Sequence, residues 1–238
     1  MRIDVQIVNA FIDGENGGNP AGVVVNANGM TDAQKLATAK AVGLSETAFV
    51  SASQTATFKL EQRAPTYRHI SHGSEMMLRI LSSLGIDAQQ IAHPLTPCVV
   101  STGNSFLLIP LASQSVVQAL QPRQQAIEAI SEELDLIGYY AFSRTTRQAG
   151  RAAGARMFAP RFGIAEEAGT GMAAGPLACY LHDVMHVKDN PLLIEQGWLM
   201  PTPSPSLIQV DLSLQDGHIT RLMAGGRAKV MWLQTVEV

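Results

Sequence analysis

His72-Gly73-Ser74-Glu75 and Gly169-Thr170-Gly171-Met172 are two glycine-bearing stretches of the same kind, one in each half of the chain. Each follows an extended apolar stretch and opens a run with a helical pattern, Met76 to Leu84 in the first case and Ala173 to His182 in the second. The N-terminus of a helix carries unpaired backbone N–H groups and the positive end of the helix dipole, so it attracts anions. Because glycine lets a ligand approach the backbone closely, the two stretches predict a small carboxylate-bearing molecule held between two similar halves.

The composition is that of a globular protein, and it argues against several classes of function. The 238 residues are 46% hydrophobic and 16% charged, which leaves room for one large domain or two smaller ones that each bury a core. A net charge of −3 without any cluster of Lys and Arg argues against a nucleic-acid partner. The first residues lack the pattern of a signal peptide, and no apolar run is long enough to cross a membrane. We therefore expect no membrane partner and a cytoplasmic location.

Strands and helices follow one another in a similar order in both halves of the chain. In the first half, one helix is predicted to begin near Thr31 and another at Ser74. Prolines and a polar stretch at residues 88–97 interrupt the pattern, so we predict two half-domains, residues 1–94 and residues 95–238. Strands that surround a single helix, twice over, are typical of an α+β fold rather than of a doubly wound parallel sheet. The predicted strands of the first half are Ile3 to Phe11, Val23 to Val25, Thr47 to Val50 and Ala56 to Leu60.

Several longer motifs extend over most of the chain. Those of the first half are Val8-Asn9-Ala10-Phe11, Gly18-Asn19-Pro20-Ala21-Gly22-Val23-Val24 and Leu44-Ser45-Glu46-Thr47-Ala48-Phe49-Val50. Those of the second half are Phe158-Ala159-Pro160, Gly163-Ile164, Glu166-Glu167, Gly169-Thr170-Gly171, Ala173-Ala174-Gly175-Pro176-Leu177-Ala178, Gln196-Gly197 and Gly225-Gly226. Together they resemble the signatures of the PhzF-like, phenazine-biosynthesis family.

The resemblance implies a diaminopimelate-epimerase-like fold. Such a fold has two pseudo-symmetric half-domains, each a curled sheet around a central helix, with the active site in the cleft between them. The resemblance also implies proton transfer without a cofactor on a small carboxylate-bearing substrate, commonly in a homodimer. The helices that begin at Ser74 and near Met172 would then be the two central helices, with their N-termini facing one cleft.

The catalytic positions of the family are only partly kept. Its set is a Glu in a Ser-Glu-Thr motif, a His in a Gly-His motif, and an Asp and a Ser in an Asp-Pro-Ala-Thr-Gly-Ser motif. Glu46 matches the first position. At the second, His72 and Gly73 stand in reversed order, so Gly73 falls where the His would be. Glu167 replaces the Asp and Met172 replaces the Ser, which predicts a less polar pocket and poor conversion of a dihydroxyanthranilate-like substrate.

Three side chains are predicted to be catalytic. Glu46 is the candidate base, since a carboxylate partly withdrawn from water in a cleft has a raised pKa suited to taking and releasing a proton; the alternative is a Glu merely exposed at the start of a strand. His72 could reach the cleft from one position earlier, or lie on the surface as an ordinary loop histidine. Glu167 would be the second carboxylate, one methylene longer than in the family. The predicted substrate-binding residues are Asn19, Gly73, Ser74, Gly169, Thr170, Gly171 and Met172.

Metal and cofactor binding are not expected. His69, His72 and Glu75 have a spacing that could suggest a metal, but in an extended segment they would not share a face, and zinc needs three or four convergent ligands. Cys98 and Cys179 are too far apart to indicate a disulfide framework or a zinc site. No glycine motif matches a phosphate or dinucleotide fingerprint.

Two classes of function fit these observations. The first is a cofactor-independent isomerase of the PhzF type with a modified pocket, for which a natural-product pathway would be a suitable setting. Its acidic pair could instead have been redirected to cleavage of C–C or C–N bonds. The second is a binding or structural protein that has lost turnover, which the altered positions and an apparently shortened stretch between Gly85 and Val100 favour.

Overall fold

The computed structural model describes residues 1–50 and 59–238 and shows an α+β protein, which confirms the predicted fold class. The strand predicted from Ala56 to Leu60 falls mainly outside the described residues. The helices are α1 (Asp32–Val42), α2 (Glu75–Leu84), α3 (Gln114–Ala119), α4 (Gln124–Leu134) and α5 (Gly171–Asp183), with short 3-10 turns at Ala88–Gln90 and Pro160–Phe162. The strands are β1 (Arg2–Ala10), β2 (Asn19–Val24), β3 (Glu46–Phe49), β4 (Lys59–Arg63), β5 (Thr66–His69), β6 (Cys98–Ser101), β7 (Ser105–Pro110), β8 (Gly138–Ser143), β9 (Ala153–Ala159), β10 (Ile164–Glu167), β11 (Leu192–Gln196), β12 (Ser206–Gln215), β13 (His218–Gly225) and β14 (Ala228–Glu237). Within these described ranges, no helix combines the length and the apolar character needed to span a membrane.

The smaller half is a four-stranded sheet in the order β14-β1-β2-β3. β1 pairs antiparallel with β14 and β2, whereas β3 runs parallel to β2. α1 contacts β3 and β14 of this sheet. The helix begins as predicted at Thr31, whose hydroxyl accepts a hydrogen bond from the amide of Gln34, and it ends at Gly43 in the left-handed conformation. The core between sheet and helix contains Ile3, Val5, Ile7, Val24, Ala27 and Val236.

The larger half is a ten-stranded sheet that curls around α5. Its strand order is β4-β13-β12-β11-β9-β8-β7-β6-β5, with β10 paired to β9. α5 contacts β12 and β13 towards one end of the sheet and β6 and β7 towards the other, so both ends bend towards the same helix. Every residue of α5 from Ala173 to Leu181 is buried, as expected of a helix that is apolar on all sides.

The position of α2 differs from the prediction. Met77, Ile80, Leu81 and Leu84 form an apolar stripe that packs with α4 against the outer face of the large sheet. Side chains alternate across a strand, so Leu108 points towards α5 while its neighbour Leu107 points towards α2. α1 rather than α2 is therefore the helix of the smaller sheet, and the N-termini of α2 and α5 do not face one cleft.

The two sheets do not divide the chain at residue 94. β4 and β5, from the predicted first half-domain, pair with β13 and β6 of the large sheet. β14, from the predicted second half-domain, returns to pair with β1. Each of the predicted half-domains, residues 1–94 and 95–238, therefore contributes strands to both sheets. Strand pairing between segments far apart in the chain decides which sheet a segment joins.

Candidate active site

A cavity of about 440 Å³ lies between the two sheets. One wall comes from β1, β2 and β3 of the small sheet, and the other comes from the start of α5 and the end of β13. The lining residues are Ala10, Phe11, Asn19, Ala21, Glu46, Ala48, Gly169, Thr170, Gly171, Met172, Ala224 and Gly225. The cavity therefore joins the Ser-Glu-Thr motif of the first half to the glycine-bearing helix start of the second.

Glu46 projects into this cavity from the first position of β3. After α1 ends at Gly43, the chain enters β3 and pairs with β2, where Glu46 stands opposite Ala21. Its carboxylate is open to the cavity, yet the surrounding protein withdraws part of its hydration. This burial, together with the negative charge of Glu167, raises the pKa of the Glu46 carboxyl above its usual range. A carboxylate with a raised pKa is a stronger base, as proton transfer from carbon requires.

Glu167 lies beneath the cavity wall in a network of buried polar groups. Only 5% of the residue is exposed. Its Oε2 accepts a hydrogen bond of 2.6 Å from the hydroxyl of Thr170, while its Oε1 has no partner among the described residues. Glu167 thus places a carboxylate close enough to influence Glu46, with one oxygen left to accept a further hydrogen bond.

Gln196 holds the turn from Glu167 to Thr170 in place. Its Nε2 donates to the carbonyl of Glu167 at 2.7 Å and to the hydroxyl of Thr170 at 3.1 Å. Its Oε1 accepts from the amide of Thr170 at 3.1 Å and from the hydroxyl of Tyr140 at 2.9 Å. Burial, and to a lesser degree the charge of Glu167, raises the pKa of Tyr140, so its hydroxyl stays protonated and remains a donor. The shape of the turn is therefore fixed by side chains, which preorganises the start of α5.

The first amides of α5 are available to a ligand. The carbonyl of Thr170 accepts from the amides of Ala173 and Ala174, but Thr170 makes no side-chain cap. The amides of Gly171 and Met172 donate to no other atom in the part of the chain that the structure describes. Since these amides lie at the cavity and at the positive end of the helix, they offer a site for a carboxylate.

Asn19 and Phe11 close the cavity from the side of the small sheet. The side-chain amide of Asn19 donates to the carbonyl of Gly169 at 3.0 Å, so this predicted binding residue ties the two halves together. The ring of Phe11 lies against the helix start, where a Cβ on Gly169 or Gly171 would come within 3.1 Å of it. The room left by these glycines is thus filled by an aromatic ring, a role that the sequence analysis did not assign.

The structure does not bring His72, Gly73 and Ser74 to the cavity. His72 and Gly73 are exposed, and the space around the Cα of Gly73 is open. The hydroxyl of Ser74 accepts from the amide of Met77 at 3.2 Å and so caps α2. These residues lie away from the cavity because α2 packs on the outer face of the large sheet. In the described ranges, no three His, Cys, Asp or Glu side chains form a group that could hold a metal.

Fold and cavity together define an α+β protein of two sheets, with the carboxylate of Glu46 and a helix N-terminus meeting in the cleft between the sheets. Residues 8–63 and 51–232 match the PhzC-PhzF family, described as phenazine biosynthesis-like protein. The chain belongs to this family, which confirms the resemblance found in its motifs.

Curated relatives and solved structures agree with this assignment. An uncharacterized isomerase of Clostridium acetobutylicum is 26% identical over an alignment of 288 residues, gaps included, which covers 94% of this chain and 95% of the relative. That alignment is longer than the chain's 238 residues, so the relative has segments that this chain lacks. The trans-2,3-dihydro-3-hydroxyanthranilate isomerase of Pseudomonas aeruginosa is 31% identical over 122 residues, 51% of this chain and 38% of the relative. A PhzF-family phenazine biosynthesis protein of Bacillus anthracis superposes with a TM-score of 0.81 at 19% identity, covering 100% of both chains.

Proposed function

We propose that this protein is a cofactor-independent isomerase that moves a proton between two carbons of a small carboxylate-bearing metabolite. The observation that carries the proposal is the placement of Glu46, whose pKa is raised, across one cavity from the free amides of α5. The relatives named isomerases support the reaction class. A natural-product pathway, a cytoplasmic location, a homodimer and the absence of a nucleic-acid partner belong to the same proposal.

The reaction would begin with the substrate carboxylate bound at the amides of Gly171 and Met172. Ionised Glu46 takes a proton from a carbon next to the unsaturated part of the substrate, and the electron pair of the broken C–H bond moves into the conjugated system. The negative charge that develops on the carboxylate end is stabilised by the helix N-terminus. Glu46, whose carboxyl is open to solvent in the cavity, then delivers a proton to a different carbon, and in D2O part of the protons that it delivers are replaced by deuterium. At the end of the cycle the carboxylate of Glu46 is ionised again. Neither substrate nor protein has gained or lost an electron, so the cycle consumes no cofactor.

Glu167 and Met172 would set the character of this pocket. Burial is the main cause of the raised pKa of Glu46, and the buried charge of Glu167 raises that pKa further without contacting the reacting carbon itself. Met172 presents a thioether where the family has a hydroxyl, so one wall of the cavity offers apolar contact in place of a strong donor. Met172 therefore favours a substrate whose reacting part, in this cavity, is less polar than that of a dihydroxyanthranilate.

Exchange of substrate hydrogen with solvent tests the proposal. We expect the purified protein to incorporate deuterium from D2O at carbon into at least one member of a panel of small unsaturated carboxylates, observed by proton NMR. The rate should be unchanged after treatment with a chelator. trans-2,3-Dihydro-3-hydroxyanthranilate belongs in the panel and is expected to react slowly. Binding of panel members without any exchange would instead support the alternative of a binding protein that has lost turnover.

The pH dependence of the exchange tests the coupling between Glu46 and Glu167. The rate should rise with pH as Glu46 loses its proton, so its acidic limb reports the raised pKa. Glu167→Gln removes the neighbouring charge, and glutamine can still accept the hydrogen bond from Thr170. The limb is therefore expected to move to lower pH, though not to the value of a free Glu, because burial is the larger cause of the shift. Glu132→Gln, on the exposed face of α4, is the control. A limb that stays in place or moves upward in Glu167→Gln would contradict the coupling.

A further inference from the structure

A second cavity adjoins the first one at Met172. It has a volume of about 360 Å³, and its lining includes Glu61, Arg63, Gly103 and Asn104, together with Met172, which also lines the first cavity. The side chain of Met172 therefore forms a partition between a mainly apolar cleft and a polar one.

The polar cavity is firmly connected to the start of α5. Gln62 donates from its Nε2 to the carbonyl of Gly171 at 3.0 Å, and its Oε1 accepts from the hydroxyl of Thr102 at 2.6 Å. The amide of Arg63 donates to the carbonyl of Thr102 at 3.0 Å. β4 and the turn after β6 are thus held at a fixed position beside the helix start, which makes the second cavity a built extension of the first.

The partition itself is held by a weak contact. The side-chain amide of Asn104 donates to the Sδ of Met172 at 3.3 Å. A thioether is a poor acceptor, and methionine has three rotatable bonds, so little energy is needed to turn this side chain aside. A ligand that offers Asn104 a carboxylate oxygen would supply a better acceptor than the sulfur.

Two opposite charges, those of Glu61 and Arg63, line the polar cavity. Glu61 and Arg63 are two residues apart on β4 and therefore lie on the same side of the strand. Neither side chain forms an ion pair with any residue in the described ranges. Both residues are exposed to solvent at the cavity, and a group that carries both a carboxylate and an ammonium would pair with Arg63 and Glu61 together.

We propose that the second cavity binds the amino-acid end of an extended substrate whose other carboxylate is held at the start of α5. Arg63 and Asn104 would bind the carboxylate of that end, Glu61 would bind its ammonium, and Met172 would turn aside to let the chain pass. The substrate of the proposed isomerase is then an amino dicarboxylate. This inference rests on the proposed function for the position of the first carboxylate.

A set of probes with matched carbon chains tests this assignment by calorimetry. Hexanoate has one carboxylate, adipate has two, and α-aminoadipate adds an ammonium at one end; sets one carbon shorter and one carbon longer allow for the unknown span. We expect the affinity to rise from monoacid to diacid to amino diacid at one chain length at least, by about tenfold for each added charged group. Equal affinities within every set would overturn the proposal.

Variants show which side chains are responsible for the increase in affinity. Arg63→Met should reduce the affinity for adipate to about that of hexanoate, whereas α-aminoadipate should keep the part of its affinity that comes from Glu61. Glu61→Gln should reduce the affinity for α-aminoadipate to the level of adipate. The matched control is Arg221→Met, because Arg221 lies opposite Arg63 in the β13–β4 register but outside the cavity. If Arg221→Met lowers the affinities as much as Arg63→Met does, the effect is one of overall charge and the proposal fails.

The same measurements separate this proposal from the proposed function. Binding is recorded without turnover, so it can be repeated in Glu46→Gln, where no proton transfer is expected. Preserved selectivity in that variant supports the second cavity whether or not deuterium exchange is ever observed. Deuterium exchange in the unmodified protein, combined with no selectivity among the probes, leaves the isomerase proposal standing and removes this one.

Discussion

Glu46→Gln is expected to lower the rate of deuterium exchange about a thousandfold or more, because the amide cannot accept a proton from carbon. The substitution keeps the size and shape of the side chain, so the fold and the binding of carboxylates should be unaffected. The rate is measured in D2O on the substrate that gives the fastest exchange with the unmodified protein. Exchange at the unmodified rate would show that another group is the base.

Two further variants make the result specific to this position. Glu132→Gln removes a carboxylate from the exposed face of α4 and should leave the rate unchanged. His72→Ala should do the same, because the start of α2 lies outside the cavity. A large loss in His72→Ala would mean that the family position of the histidine is still used despite the altered order.

The stability of Glu46→Gln provides an independent measure of the same charge. The pKa of Glu46 is raised in the folded state, so between its unfolded and folded pKa values the native protein binds more protons than the unfolded chain. The free energy of unfolding therefore falls as pH rises through that window. Replacing the carboxyl with an amide removes this loss, and the variant should melt at a higher temperature than the unmodified protein above the window. Below it, the difference should vanish.

Sequence motifs located the parts of the site that depend on local structure. Glu46 follows the glycine that ends α1, and Gly171 follows the turn that precedes α5. Both features can be identified from short stretches of sequence. The α+β class and the family followed from the same motifs. What the cavity adds is that these two stretches, far apart in the chain, meet across the cleft between the sheets.

The surface against which α2 packs could not be predicted from sequence motifs. Its capping Ser74, its apolar stripe and its closing Gly85 predict a helix with the observed bounds. An apolar stripe indicates that one side of a helix is buried, but it does not indicate which sheet, or which face of that sheet, the helix packs against. The preceding strand β5 pairs with β6, which carries α2 to the outer face of the large sheet and leaves α1 to cover the small one. Phe11 was missed for a similar reason, since only the fold brings its ring to Gly169 and Gly171.

Gly197→Ala is expected to destabilise the protein by roughly 3–5 kcal/mol, the range of large single-residue effects. Gly197 adopts a φ of +79°, which side chains other than glycine rarely tolerate. A Cβ at this position would overlap the carbonyl oxygen of Ser204 and would lie 2.8 Å from that of Ala168. Both are backbone atoms that cannot rotate away, and Ala168 belongs to the turn that Gln196 holds beside Glu167. At about 2–4 °C per kcal/mol for a protein of this size, the melting temperature should fall by roughly 10 °C.

Gly217→Ala separates the close contact from the backbone conformation. Gly217 has the same φ of +79°, but no atom lies within 4 Å of a Cβ built there. Its substitution should therefore cost only about 1 kcal/mol, the strain of the left-handed backbone. The difference in stability between the two variants, measured by thermal or urea unfolding, gives the cost of the overlap with Ser204 and Ala168.

Because that overlap displaces the turn from Glu167 to Thr170, Gly197→Ala should also slow deuterium exchange at temperatures where the variant is still folded, whereas Gly217→Ala should not. Equal effects of the two substitutions on stability would contradict the packing of the loop from Gly197 to Ser204 against this turn.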